Sequence, residues 1–153
     1  MIYLSFRVIR GLNMKKIMLV EDEESILEML RRFLEHEGYL VVTAEKGQTA
    51  LNWMKEVRLD LAIVDLGLPD MHGMEVCRAM KEDPKTRSTP VIILTGNTSN
   101  EARITGNLDA SVELFLNKPI SLEDLKKAID MIFEKSEKKK LLLRNSIKDK
   151  LGY

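Results

Sequence analysis

Polar groups able to do chemistry stand at the ends of four apolar runs in this chain. Glu21 and Asp22 follow Ile-Met-Leu-Val, Asp65 follows Leu-Ala-Ile-Val, Thr95 and Gly96 follow Val-Ile-Ile-Leu, and Lys118 and Pro119 follow Leu-Phe-Leu-Asn. Short continuous apolar runs are the mark of parallel strands buried on both faces, and ligands gather beyond the carboxyl ends of such strands. One sheet edge would then collect three carboxylates, a hydroxyl and an ammonium. Two carboxylates about 4 Å apart repel by about 4 kcal/mol at an effective dielectric of 20, so such a pair raises one pKa or recruits a cation. All-oxygen ligands favour Mg²⁺, and a backbone carbonyl just past Asp65 could add a third protein ligand. Lys118 precedes a proline, which holds it extended and aims it across the sheet edge. With Mg²⁺ it would share the charge of a phosphoryl group on Asp65, while Thr95 donates a hydrogen bond and Gly96 leaves room. The chemistry on offer is phosphorylation of an aspartate.

These groups must be placed by elements that alternate in type. From Lys16 onward, apolar runs of four to six residues alternate with stretches of helical period, the pattern of repeated βα units around a parallel sheet. Strands are predicted over Lys16 to Val20, Leu40 to Thr43, Leu61 to Val64, Val91 to Leu94 and Val112 to Leu116. The first helix carries Ile26, Leu30, Phe33 and Leu34 on one stripe and ends before Gly38, which can take a left-handed cap. A second is predicted over about Gly47 to Val57, with Trp53 as packing, and a third over about Met74 to Glu82, stopped by Pro84. The fourth, Asn97 to Asn107, is weak because it contains Gly106-Asn107 and few apolar residues. The fifth opens on Ser121 with Asp124 three residues on, a variant capping box, and continues through Leu122, Leu125, Ile129, Ile132 and Phe133. The expected fold is α/β, a doubly wound five-stranded parallel sheet in the order 2-1-3-4-5, with an extra N-terminal segment and an extended C-terminal helix or tail.

With 153 residues, 44% hydrophobic and 31% charged, the chain has material for one domain but not two ordinary ones. Its formal net charge of zero argues against a protein whose main task is gripping nucleic acid. Cys77, the single cysteine, reads as a buried, reduced thiol in the cytoplasm. No apolar run reaches the roughly 20 residues that span a bilayer, and Arg7 and Arg10 interrupt the N-terminal apolar stretch, so neither a membrane span nor export is expected. Two readings stay open for residues 1–13: a half-buried strand with Ile2, Leu4, Phe6 and Val8 on one side, or an appendage ahead of Met14. From Glu134 to Tyr153 there are seven basic and three acidic residues. Leu143, Ile147 and Leu151 recur every four residues, so this basic amphipathic tail is either a continuation of the last helix or a separate one. The boundaries read as an extension at 1–14, a domain at 15–135 and a tail at 136–153. His36 and His72 have no partners at metal-ligand spacing and read as surface residues.

Four motifs then fall into a familiar order. Val-Glu-Asp-Glu-Glu at 20–24, Asp-Leu-Gly-Leu-Pro-Asp-Met-His-Gly at 65–73, Ile-Leu-Thr-Gly at 93–96 and Leu-Asn-Lys-Pro at 116–119 resemble the receiver domain of two-component response regulators. The resemblance covers about residues 15 to 135, and it is the ordered set that makes it specific. It implies a flavodoxin-like fold in which Asp65 is the phosphoacceptor, and Glu21, Asp22, Asp65 and the backbone carbonyl of Gly67 hold Mg²⁺. It further implies Thr95 as switch hydroxyl, Lys118 as phosphate-sensing lysine, and Pro69 and Gly73 as the turn after the phosphoacceptor. Phe115 matches the aromatic whose rotamer reports the switch, although its residue type alone also suits a plain core position. Many receivers carry Gly-Ala before the fifth strand, where this chain has Ser111-Val112.

The resemblance implies a partner that donates phosphate, a sensor histidine kinase or phosphotransfer protein. Output is expected through a downstream protein at the face of the fourth helix, fifth strand and fifth helix, and a homodimer is allowed. Thirty-five residues follow Lys118, fewer than the roughly 50 a separate DNA-binding domain needs, so no direct nucleic-acid contact is expected. A phosphoacceptor with only its own autophosphorylation and autodephosphorylation is expected, rather than an enzyme. The competing reading is a phosphatase of the haloacid dehalogenase type, which also uses Asp, Thr or Ser, Lys and Mg²⁺. That chemistry needs a second acid two residues after the nucleophile, and position 67 is glycine.

Overall fold

The computed structural model of the chain describes residues 14–96 and 112–152. The N-terminal segment, the predicted fourth helix with Gly106-Asn107, and Ser111 lie outside the described residues. The elements are β1 (Lys16–Val20), α1 (Glu24–His36), β2 (Leu40–Ala44), α2 (Gly47–Glu56), β3 (Leu61–Asp65), α3 (Gly73–Glu82), β4 (Val91–Thr95), β5 (Val112–Asn117) and α4 (Leu122–Leu151). The strands form one parallel sheet in the order β2-β1-β3-β4-β5, as expected.

Burial explains why the central runs are continuous. Every residue of β3 and β4, and all of β1 after Lys16, is buried. Met18, Val20, Ala62, Val64, Val91 and Ile93 join Ala50 and Met54 of α2 and Met74, Cys77 and Met80 of α3 in one core. Residues of the other parity, Ile17, Leu19, Ile63, Ile92 and Leu94, are equally buried and face the opposite side of the sheet. Each such side chain removed from water contributes about 1.5–3 kcal/mol, which makes these strands the rigid part of the structure. Edge strand β5 alternates half-buried and exposed residues, and Phe115 falls on its exposed side at 37%. Phe115 is therefore not a core aromatic.

The pairing of β4 with β5 shifts between Val91 and Ile92: Val91 faces Val112, but Ile92 faces Leu114. The shift carries the register forward by one residue, so that Thr95 comes opposite Asn117 and the next residue, Lys118, donates its amide to the Thr95 carbonyl at 2.8 Å.

Helix α1 buries Leu27, Leu30 and Leu34. The spacing of three and four puts those three on one line, and the predicted Ile26 and Phe33 flank it half-buried. On its outer side Arg31 bridges Glu28 and Glu35 at 2.6 and 2.7 Å. Gly38 closes the helix at φ 93°, with its amide on the Glu35 carbonyl. Trp53 of α2 donates its indole N–H to the Thr43 carbonyl at 2.9 Å, a packing role as predicted. Helix α3 ends at Glu82, with Asp83 as its extended C-cap just ahead of Pro84.

The chain parts into two compact units, Met1–Ile120 and Ser121–Tyr153. The second is built on α4, a single helix of 30 residues, which decides between the two readings of the tail. Ser121 Oγ accepts from the Asp124 amide at 3.2 Å, and Gly152 closes the far end at φ 72°. Leu125, Ala128, Ile129 and Ile132 are buried, whereas Leu141, Leu142, Leu143, Ile147 and Leu151 are exposed. Among the described residues, no helix is long and apolar enough to cross a membrane.

Candidate functional site

Each site residue stands where a strand runs out, because there the apolar requirement ends while the backbone is still held. Asp65 is the last residue of β3 and Thr95 the last of β4, 5% and 1% exposed. Glu21 follows β1 directly, is fully buried, and has its amide on the Ala44 carbonyl at 3.0 Å. Asp22, the next residue, is exposed. Lys118 follows β5, and the Lys118–Pro119 peptide bond is cis.

The side chains of these residues converge. Lys118 Nζ lies 2.9 Å from Glu21 Oε2 and 3.2 Å from Asp65 Oδ2. Glu21, Asp22 and Asp65 each offer an oxygen within 4.8 Å of the others. Glu21 Oε1 accepts from the Glu23 amide at 3.2 Å. Burial pushes the Glu21 carboxyl above its ordinary value and Asp65 adds to this, while the Lys118 ammonium and the Glu23 amide pull the other way. Burial works against the charge of Lys118 too, but the Glu21 and Asp65 carboxylates outweigh it and hold the ammonium proton more tightly than usual.

The donor set fits a hard divalent cation. Glu21 Oε2 is buried and has the Lys118 ammonium 2.9 Å away as its ion-pair partner. Three carboxylates against one ammonium leave a surplus of negative charge, and an all-oxygen set of this kind suits Mg²⁺. A Cβ at Gly96 would meet nothing among the described residues within 4 Å, so the surroundings of Thr95 are open there.

The loop from β3 to α3 frames the site. Gly67 and His72 form an antiparallel bridge, and the Gly73 amide donates to the Leu66 carbonyl at 2.9 Å. Gly73 is packed against β3: a Cβ there would overlap the Asp65 carbonyl oxygen and stand 2.8 Å from Leu66 Cα. Pro69 is exposed at the loop tip. His72 caps α3, with Nδ1 accepting from the Met74 amide at 3.2 Å, and His36 is exposed. Cys77 is buried inside α3, and burial pushes its thiol up to about 12, which removes it from reactivity.

Sequence reasoning missed Asp70. Its carboxylate leaves the loop and accepts from the Gly47 amide at 2.8 Å and the Gln48 amide at 2.9 Å, capping α2 from 23 and 22 residues away. The Gln48 and Gly47 amides hold its carboxyl below the ordinary value despite some desolvation. A hint was present: α2 opens on Lys46-Gly47-Gln48, with no capping side chain of its own.

Comparisons with known proteins agree with this geometry. The family model for the response regulator receiver domain matches residues 17–130. The response regulator ArlR of Staphylococcus haemolyticus is 33% identical over 135 residues, covering 88% of this chain and 60% of that protein. The chain thus spans about three-fifths of the length of that curated relative. Among solved structures, a CheY-like receiver domain protein from Methanospirillum hungatei superposes with TM-score 0.74 at 31% identity, over 83% of this chain and 99% of that one. The receiver domain of the sensor histidine kinase PA1611 from Pseudomonas aeruginosa matches with TM-score 0.68 at 27% identity, over 75% and 93%; it carries a magnesium ion in its active site cleft.

Proposed function

Since the chain belongs to the response regulator receiver domain family, we propose that it is a phosphorylation-controlled switch with Asp65 as phosphoacceptor. The observation that carries this reading is the meeting of Asp65, Glu21, Asp22 and Lys118 at the carboxyl end of the sheet. A carboxylate oxygen of Asp65 attacks the phosphorus of a phosphohistidine on a sensor histidine kinase or phosphotransfer protein. The P–N bond breaks as the P–O bond forms, and the departing imidazole keeps the electron pair and takes a proton from solvent. Hydrolysis of the acyl phosphate by water later returns Asp65 and inorganic phosphate.

Glu21, Asp22, Asp65 and the Gly67 carbonyl would hold Mg²⁺, which when bound supplies positive charge to the transferring phosphoryl group. Lys118, already paired with both buried carboxylates, moves its hydrogen bonds to the phosphoryl oxygens. Thr95 donates its hydroxyl to another of them, and Gly96 leaves the entry open. A phosphoryl group adds about −1.5 to −2 charge to a site framed by rigid strands, so its effect is passed outward. Phe115, exposed on edge strand β5, marks where a downstream protein reads it. Pro69, Gly73 and Pro119 shape the turns that hold these groups. A reduced, buried Cys77 suits a cytoplasmic setting. The phosphatase reading gains nothing from the comparisons, and Gly67 leaves it without a proton donor.

Intact-mass measurement after incubation with acetyl phosphate and Mg²⁺ tests the proposal. The wild-type chain gains one phosphoryl group and Asp65→Asn gains none. Full labelling of Asp65→Asn would refute the assignment.

A further inference from the structure

The loop that carries the Gly67 carbonyl is tied at its tip to a helix that has no other business at the site. Helix α2 starts without a cap of its own: Lys46 contributes no side-chain hydrogen bond, and its first turn holds no acidic residue. The two Asp70 oxygens supply what is missing, at 2.8 and 2.9 Å from the Gly47 and Gln48 amides. Met71 seals the same junction, since a Cβ on Gly47 would run into its Cγ and Sδ. The other polar ties of the loop, the Gly67–His72 bridge and the bonds to Leu66 and His72, lie at its base. Among the described residues, the tip is fastened by the two hydrogen bonds of Asp70. A carboxylate accepting two N–H groups at a helix N-terminus is a charge-assisted clip favoured by the helix dipole.

We infer that Asp70 is a positioning residue for metal binding: by clipping the loop tip to α2, it holds the Gly67 carbonyl in place beside Asp65. The inference rests on the receiver reading of the site above. Asp70 touches neither the metal nor the phosphoryl group, and acts through the backbone of the loop it fastens. Partners that orient a metal ligand from outside are worth about 10- to 100-fold in metal affinity.

Calorimetric titration with Mg²⁺, thermal unfolding and acetyl phosphate labelling separate this role from a merely structural one. Asp70→Ala is expected to weaken Mg²⁺ binding about tenfold, and Asp70→Asn, which keeps one acceptor oxygen, by less. The labelling rate should return toward wild type when Mg²⁺ is raised in proportion, because Asp65 itself is untouched. The double variant Lys46→Ser with Asp70→Ala gives α2 a local cap without rejoining the loop. Its melting temperature should recover while its Mg²⁺ affinity stays low. If affinity recovers with stability, Asp70 is only a helix cap and the inference fails. It fails equally if Asp70→Asn and Asp70→Ala bind Mg²⁺ as the wild type does, and Asp70→Asn decides alone should the alanine variant not fold. A wild-type chain that neither binds Mg²⁺ nor labels at Asp65 would instead overturn the receiver reading, and this inference with it.

Discussion

Replacing Gly73 with alanine should damage Asp65 without touching its side chain. Gly73 is the first residue of α3, and the Cβ it lacks would overlap the Asp65 carbonyl oxygen, at 2.8 Å from Leu66 Cα and 3.0 Å from the Asp65 carbonyl carbon. Carbon atoms pack best at about 3.5–4.0 Å, so the start of α3 and the end of β3 must separate by about 1 Å. The obstructing atoms are backbone, so no rotamer change relieves the contact. Nor can β3 easily yield, since Asp65 stays in register with Leu94 and the Leu66 amide binds the Leu94 carbonyl at 3.2 Å. Overpacking of this kind costs about 1–3 kcal/mol, and a contact with backbone alone belongs at the top of that range. At about 2–4 °C per kcal/mol, the melting temperature should fall by roughly 6–12 °C. A displacement of about 1 Å at a reacting group costs about 10²-fold in rate, so acetyl phosphate labelling at a temperature where the variant is folded should slow by that order. A Gly73→Ala chain that melts with the wild type and labels at the wild-type rate would refute the reasoning.

Removing the ammonium should make stability depend on pH and on metal. In Lys118→Met the buried Glu21 carboxyl, already above its ordinary value, loses the cation that restrained it and rises further. A carboxyl whose folded pKa exceeds its unfolded one costs stability above the folded value, and the cost fades as pH falls through it. The deficit against wild type should be about 2 kcal/mol near neutrality, below the 3–5 kcal/mol of a fully buried pair because Lys118 is 23% exposed. It should narrow as pH falls and Glu21 takes up its proton, and narrow on adding Mg²⁺. Denaturant midpoints across pH check this, and a deficit constant in pH would count against it. Cys77, whose thiol burial pushes up to about 12, should resist thiol reagents at neutral pH until the chain unfolds; rapid modification of the native protein by a chromogenic disulfide would contradict its placement.

Most of the fold could be read from residue type, and the exceptions have physical causes. The apolar runs identified β1, β3 and β4 because both their faces are buried, but the predicted β3, β4 and β5 stopped one residue early. Asp65, Thr95 and Asn117 remain in their strands as polar last residues, since the backbone ladder holds them regardless of side chain. The functional groups were legible because they sit at those ends. Helix α4 resisted reading because the lysines at 138–140 look like a break between apolar stretches, whereas lysine is a good helix former and the helix runs straight through. The uncapped start of α2 hinted that a cap was needed, but nothing local named Asp70, because the clip joins residues 22 and 23 apart and depends on the loop's three-dimensional course. The exposure of Phe115 was equally hidden, since an edge strand of the sequence Val-Glu-Leu-Phe-Leu-Asn has apolar residues on both its sides.

The place of β1 between β2 and β3 has a consequence for how the chain is made. While the ribosome is still working, β1, α1 and β2 can pair as soon as they emerge, because they are neighbours in sequence. The other edge of β1 must wait for β3, and Lys16 meets Asp60 only 44 residues later. At synthesis rates of about 5–20 residues per second, that edge stands open for roughly 2–9 s. During that interval Ile17, Met18, Leu19 and Val20 present an unpaired apolar strand, the kind of surface that chaperones bind and that seeds aggregation. The strand that places Glu21 at the site is thus also the one most in need of protection at birth.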